Sequence, residues 1–183
     1  DSMKASLGTI VREARELFRH HGYDGASMQD LATKVGLKKA SLYTRFPTKE
    51  ALVPEVMTLT NDELFADLPE GDPLAAYAAV LERIARALSE QTRCVGLHLA
   101  YGASGPDTPD AAVAVRGFFT GQRDRLAALI APSVGETRAR ELAGDAIARL
   151  EGATVWTVVE GDVEPMGRAL RLSVEELAST LRR

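Results

Sequence analysis

Cys94 and His98 are the residues of this chain whose types and spacing come nearest to a metal or nucleophile site. They stand four positions apart in the stretch CVGLHLAYG, so on a helix they would share one face. A metal would need at least one or two further ligands, and the sequence has no cluster that would supply them. A Cys–His nucleophile would need an oxyanion site, for which there is no signature.

We therefore interpret Cys94 as a buried thiol, and His98 as a residue that lines a cavity or is hydrogen-bonded in the core. The sequence also lacks a glycine loop that would cradle phosphates and a pair of carboxylates with catalytic spacing. It predicts a protein that is not an enzyme, with no catalytic residue, no metal ligand and no cofactor.

Residues 38–46, KKASLYTRF, have the chemistry of nucleic-acid binding. On a helix Leu42 and Phe46 lie one turn apart and would face a core, so the opposite face is centred on Ala40 and Thr44. Small side chains at that centre can approach base edges, and basic side chains around it can reach phosphates. The candidate DNA-binding residues of this helix are Lys38, Lys39, Ala40, Ser41, Tyr43, Thr44 and Arg45.

A second short helix is predicted just before this one. Ser27 is a good N-cap with Asp30 three residues later, and Gly36 supplies the left-handed conformation that ends a helix. The apolar stripe between them consists of Met28, Leu31, Ala32 and Val35. These signals predict two helices around a tight turn.

A longer helix is predicted to begin at Lys49, after Pro47 has stopped the preceding helix and Thr48 has capped the new one. It should run to about Phe65. Pro54 lies within it and leaves two alternatives: a kink, or a tolerated irregularity in the first turn.

The segment GYDGASMQDLATKVGLKKASLYTRFPTKEAL resembles the N-terminal domain of TetR-family transcriptional regulators. The matching features are Gly22-Tyr23, Gly36, residues 41–43, Phe46-Pro47 and residues 48–52. The resemblance implies an all-α fold of about nine helices. A three-helix helix-turn-helix DNA-binding domain (residues 3–48) would precede a six-helix ligand-binding and dimerisation domain (residues 49–183).

The resemblance also implies roles for single residues. Base edges would be met by Ala40, Ser41 and Thr44, with Arg45 as a longer-range reader. Phosphates would be held by Lys38, Lys39, Tyr43 and Lys49, and the DNA backbone would also touch Ser27 and Gln29. Lys38 stands where the family often has a Ser or Thr cap, so the helix over residues 38–46 would start less firmly.

Charge is distributed unevenly along the chain. The formal net charge is −4, yet residues 1–52 hold nine basic and six acidic side chains, whereas the remainder holds 13 basic and 20 acidic ones. A basic N-terminal segment followed by an acidic body would confine attraction for DNA to the N-terminal segment.

The rest of the chain is predicted to form six further helices: one before the segment that carries the resemblance, from about Lys4 to His20, and five after it. In the eighth predicted helix Gly144, Ala148 and Gly152 recur every four residues, a strip that lets another helix approach closely. By the resemblance the last two helices would pair with those of a second copy in a four-helix bundle; ordinary packing within one chain is the alternative.

The resemblance further implies a small-molecule site among the fourth to seventh helices. The candidate lining residues are Met57, Tyr77, Leu97, His98, Tyr101, Phe118 and Phe119, with Trp156 nearby. Their character predicts a mostly apolar effector with one or two polar anchors. Plain core packing is the alternative for most of them.

Together these features predict a dimeric, ligand-responsive transcriptional regulator, most simply a repressor that a small apolar molecule releases from its double-stranded DNA operator. The alternative is a helical small-molecule sensor without useful DNA binding. We find no signal peptide and no apolar run long enough to span a bilayer, and the single cysteine fits a reducing compartment, so we expect a cytoplasmic protein with no membrane partner.

Overall fold

The computed structural model describes residues 6–91 and 93–182, and in these ranges the chain is helical, without a β-strand. The helices are α1 Leu7–Gly25, α2 Met28–Lys34, α3 Lys39–Arg45, α4 Leu52–Phe65, α5 Pro73–Gln91, α6 Val95–Gly102, α7 Pro109–Val134, α8 Glu136–Glu160 and α9 Glu164–Leu181. The predicted all-α class is confirmed. None of the described helices has the length and apolarity to cross a membrane.

The chain divides into two compact units. The first comprises the described residues up to Asp62 together with Val95–Phe119, and the second comprises the described parts of Glu63–Cys94 and Thr120–Arg183. The predicted domain boundary between residues 48 and 49 lies inside the first unit, because α4 shares a core with α1–α3.

The core of the first unit joins α1, α2 and α3 to α4, α6 and the start of α7. Its fully buried side chains include Phe18, Leu31, Leu42, Val53 and Leu99. Ser6 begins α1 by accepting a hydrogen bond from the Thr9 amide on its hydroxyl, at 3.2 Å. The start predicted near Lys4 lies outside the described residues.

Helix α4 begins at Leu52, three residues later than the sequence predicted. The Thr48 hydroxyl accepts from the Ala51 amide at 3.1 Å, so the predicted cap is present, but a tight turn separates it from the helix. Pro54 is therefore the third residue of α4. The first amides of a helix have no partner within it, so the missing N–H of Pro54 costs no helical hydrogen bond. This position corresponds to the second alternative, a tolerated irregularity in the first turn.

The second unit is built on α5, α8 and α9, which pack against one another. Tyr77 is fully buried and its hydroxyl donates to the Leu142 carbonyl at 3.1 Å; burial raises the pKa of this phenol. Glu176 of α9 accepts hydrogen bonds from Arg149 at 2.7 Å and Arg138 at 2.9 Å. The bonded arginines hold the pKa of Glu176 below its usual value and tie α8 to α9.

Candidate nucleic-acid interface

The turn between α2 and α3 has the geometry that the sequence predicted. The Ser27 hydroxyl accepts from the Asp30 amide at 3.0 Å and so caps α2. Gly36 has a φ of 68°, a left-handed conformation that side chains with a Cβ rarely adopt, and it ends α2. The Leu37 amide donates to the Ala32 carbonyl at 2.9 Å, which closes the turn and directs the chain into α3.

Helix α3 presents one face to the core and the opposite face to solvent. Leu42 is fully buried and Phe46, at the C-cap, is almost so. Ala40, Ser41 and Thr44 are exposed. The predicted orientation of the helix is confirmed, and the residues proposed to meet base edges lie together on its outer surface.

Aromatic and basic side chains border this exposed face. Tyr43 is 39% exposed, and the Lys39 ammonium lies 5.8 Å from the centre of its ring. Lys38 occupies the N-cap position without a side-chain capping bond, as its chemistry predicted. Arg45 is half-buried at the other end of the helix. The arrangement combines a small, neutral centre with a positively charged border.

The two candidates at the start of α2 differ in their surroundings. Ser27 uses its hydroxyl as the helix cap, although the residue is exposed. Gln29 is exposed, and its amide nitrogen donates to the Thr33 hydroxyl at 3.4 Å. Ser27 is the N-cap and Gln29 lies in the first turn of α2, where backbone amides can also meet a phosphate.

Lys49 lies in a different environment from that implied by the resemblance. Its ammonium donates to the carbonyls of Tyr23 at 2.6 Å and Ala26 at 3.1 Å, and it stands 4.3 Å from the centre of the Tyr23 ring. The side chain therefore holds the end of α1. Sequence reasoning did not pair these residues, although Gly22-Tyr23 belongs to the segment that carried the resemblance.

Two of the eight ligand-binding candidates line one cleft of the first unit. Met57 of α4 and Phe118 of α7 border a cleft of about 200 Å³. Its other lining residues are Pro54, Thr58, Asn61, Ala114 and Gly117. The Asn61 amide donates to the Phe118 carbonyl at 3.1 Å, and Phe119 meets Phe118 edge-on at 5.0 Å.

The other candidates do not join this cleft. Leu97 is partly exposed on α6, and Tyr101 is 85% exposed. His98 lies against α1, where its Nε2 would be 3.7 Å from a Cβ placed on Gly22. Tyr77 and Trp156 belong to the second unit, the first in its core and the second 48% exposed.

Cys94 precedes α6 and does not share a helical face with His98. It is half-buried, whereas the sequence predicted a buried thiol. Its partner is Glu151 of α8, whose carboxyl forms a hydrogen bond with the thiol; burial raises the pKa of this carboxyl, and the bond with Cys94 opposes the shift. Among the residues that the structure describes, no three His, Cys, Asp or Glu side chains are grouped as metal ligands.

Family comparisons agree with this geometry. Residues 10–56, which contain α2, α3 and the start of α4, match the family model of the bacterial regulatory proteins of the tetR family. Residues 73–171, more than half of the chain, match the C-terminal domain of LmrA/YxaF-like transcriptional regulators. The chain belongs to the TetR family of bacterial regulatory proteins.

Individual relatives of this TetR-family chain match over shorter stretches. It is 29% identical to the HTH-type transcriptional regulator YuxN of Bacillus subtilis over 105 residues, 55% of this chain and 36% of that protein. It is 38% identical over 55 residues to IcaR of Staphylococcus aureus, a negative regulator of the biofilm operon icaADBC, over 30% of each chain. The matched segments thus span about a third of these relatives.

Solved structures cover the TetR-family chain almost completely. A TetR regulator from Legionella pneumophila superimposes with a TM-score of 0.77 at 21% identity, over 91% of this chain and 94% of that one. A TetR-family regulator from Agrobacterium tumefaciens gives a TM-score of 0.69 at 26% identity, with the same coverage. The likeness to the first shows a shared fold.

The bonds of Lys49 predict a structural role for this side chain in the TetR-family regulator. Replacing Lys49 with Met removes the donor for two carbonyls, so we expect the free energy of unfolding to fall by about 1–3 kcal/mol. We expect the salt dependence of DNA binding to stay unchanged. Urea unfolding and a salt titration of DNA affinity measure the two effects.

Lys39→Met is the matched control for this experiment, because Lys39 is an exposed lysine of the same segment. It should leave stability unchanged and lower the slope of log affinity against log salt by about 0.9 for each phosphate that is no longer bound. A slope that falls equally for Lys49→Met would instead support the phosphate role that the family resemblance implies.

Proposed function

We propose that this chain is a dimeric, ligand-responsive repressor that binds a roughly palindromic DNA operator through α3. The observation that carries the proposal is the outer face of α3, where exposed Ala40 and Thr44 are bordered by Lys38, Lys39 and Tyr43. In a helix-turn-helix the second helix lies in the major groove. This face has the size and charge for that role.

Each exposed residue of α3 has a proposed task. Ala40, Ser41 and Thr44 meet base edges, because short side chains let the helix lie deep in the groove. The Thr44 hydroxyl donates to the Ala40 carbonyl at 3.0 Å, which leaves its oxygen lone pairs and its methyl group toward the DNA. Lys38, Lys39 and Tyr43 hold phosphates and fix the register, with Arg45, Ser27 and Gln29 at the edges of the contact.

The exposed apolar residues of α8 support dimerisation through the last two helices. Ala148 and Gly152 are exposed, and Val155, Trp156 and Val159 continue the same side of the helix toward its end. Residues three and four apart share a helix face, so these five form one strip. Val163 and Leu172 add exposed apolar surface before and within α9. A second copy of the chain would cover this surface in an isologous contact.

The cleft between α4 and α7 is the proposed effector site. Met57, Phe118, Ala114 and Pro54 make its wall mostly apolar, and Thr58 and Asn61 provide polar groups. At about 200 Å³ it is smaller than the roughly 300–1,000 Å³ of typical ligand pockets, so the effector would be a small apolar molecule. Coupling of about 1–3 kcal/mol would lower operator affinity by about 5–150-fold.

Repression is the proposed sign of regulation. IcaR, which resembles this chain over 55 residues, is named a negative transcriptional regulator. A protein that occupies an operator until an effector binds would act in the same direction. We place this activity in the cytoplasm, where operator DNA is accessible.

The DNA-binding proposal is tested by selecting bound sequences from random DNA. We expect a palindromic motif with two half-sites about one helical turn apart. Thr44→Val should change the selected bases within each half-site, because it removes a group that faces base edges. Tyr43→Phe should keep the motif and lower the affinity for every DNA sequence by about tenfold, since one hydrogen bond to a charged phosphate is removed. Two variants that shift the motif alike would contradict the assigned faces.

The dimer proposal is tested with Val159→Glu. Val159 is 70% exposed, and in the dimer each new carboxylate would be buried without a partner at a cost of about 2 kcal/mol or more. Two-fold symmetry introduces that cost twice, about 4 kcal/mol in all, so the dissociation constant should rise roughly 1,000-fold or more. Val113→Glu, at a valine of α7 that is 67% exposed, is the control and should leave the mass in sedimentation unchanged. An unchanged mass for both variants would exclude this interface.

The effector proposal is tested at Gly117, which lines the cleft and has no neighbour within 4 Å of an added Cβ. Gly117→Leu should fill part of the cleft, because its Cβ meets no neighbouring atom. We expect small apolar molecules that raise the melting temperature of the natural protein to have little effect on this variant. Gly117→Ala is the control and should keep the response. A full response in Gly117→Leu would place the effector elsewhere.

A further inference from the structure

The dipeptide Lys49-Glu50 connects two separate parts of the first unit. Glu50 lies between the capping residue Thr48 and the start of α4, and its Oε1 accepts from the Ala111 amide at 3.0 Å. Ala111 is the third residue of α7 and is fully buried. A carboxylate at this point satisfies one of the first amides of α7 and is favoured by the positive end of the helix dipole.

Lys49 reaches in another direction, to the Tyr23 and Ala26 carbonyls at the end of α1. Helix α6 approaches the same place, because a Cβ on Gly102 would lie 3.5 Å from the Cβ of Tyr23. Burial raises the pKa of the Tyr23 phenol, and the nearby charge of Glu50 raises it further. Lys49 therefore contacts the end of α1, against which the end of α6 also packs, while its neighbour Glu50 contacts the start of α7.

We propose that Glu50 is a positioning residue that fixes α1–α3 against the start of α7 and thereby sets the spacing of half-sites that the dimer accepts. This inference rests on the proposed function. The outer face of α3 is fixed by the burial of Leu42 and Phe46. Binding to a single half-site therefore does not require Glu50. Two half-sites must match the distance between the two α3 helices of the dimer. The range of distances that the dimer samples depends on how firmly each α3 is held.

Removal of the bond to α7 has a specific consequence under this proposal. Without the Glu50–Ala111 hydrogen bond, the helices α1–α3 of each protomer would sample a wider range of orientations relative to α7. The dimer would then give up more entropy on binding its best operator, while operators with an altered spacer would fit some of the new orientations. The preference among spacers should flatten, whereas affinity for one half-site should stay the same.

The experiment uses the full chain and a set of operators made from the selected half-site, with spacers that differ by single base pairs. A DNA with one half-site is included. For Glu50→Ala we expect about a tenfold loss of affinity on the best spacer, a loss of less than about threefold on neighbouring spacers, and no change beyond about twofold on the single half-site.

Two conservative variants separate reach from charge. Glu50→Gln keeps an oxygen at the same reach and should retain most of the spacer preference. Glu50→Asp keeps the charge but shortens the side chain by one methylene, so it should behave like Glu50→Ala. Should Glu50→Ala lose half-site binding altogether, these two variants alone decide. The proposal is overturned if Glu50→Asp retains the spacer preference and Glu50→Gln loses it.

Glu55→Ala is the matched control, because Glu55 is an exposed acid in the first turn of α4. It should change affinity for every DNA by one common factor. If Glu50→Ala also changes all spacers and the half-site by one factor, Glu50 acts through charge alone and the proposal fails. If the natural chain itself shows no spacer preference, the dimeric operator function fails first, a result that is distinct from failure at Glu50.

Discussion

Burial of Leu42 in the core of the first unit is the constraint on which the proposed DNA-binding surface depends. Helix α3 has seven residues, too few to be stable in water without tertiary contacts. Lys38 adds no side-chain cap at its start. The helix is therefore held by Leu42 and Phe46, and their inward position fixes its rotation. At about 100° per residue, that rotation turns Ala40 and Thr44 outward.

The charges of the N-terminal segment divide between binding and folding. Lys34 pairs with Glu13 at 3.0 Å, and Lys49 is bonded to two backbone carbonyls. Lys38 and Lys39 stand exposed beside the outer face of α3. The excess of basic residues in the first 52 positions thus overstates the charge that faces outward, and the proposed attraction for DNA would depend mainly on the lysines at the start of α3.

Local signals were sufficient to predict much of the fold. The left-handed Gly36 and the Thr48 cap each depend on residues a few positions apart. The environment of Lys49 could not be predicted in this way, because its partners lie more than 20 residues earlier in the chain.

The ligand-binding residues show a second limit of the sequence. A helical stripe identifies apolar positions but does not distinguish a packed core from a cleft. Tyr77 and Phe118 both read as aromatic residues on buried faces, yet Tyr77 is packed in the core of the second unit with its hydroxyl bonded, and Phe118 borders a cleft. Both side chains are buried, so the space beside each decides the difference, and that space does not follow from spacing along the chain.

Helices α4 and α7 link the proposed effector site to the proposed DNA surface within one compact unit. Met57 and Phe118 border the cleft, and Glu50 and Ala111 join the same two segments nearer their starts. A charge-assisted hydrogen bond contributes about 1.5–3 kcal/mol, which is similar to the roughly 1–3 kcal/mol of typical allosteric coupling. A molecule that moved α7 enough to weaken this single bond would therefore have sufficient energy to regulate operator binding, without a large rearrangement of the core.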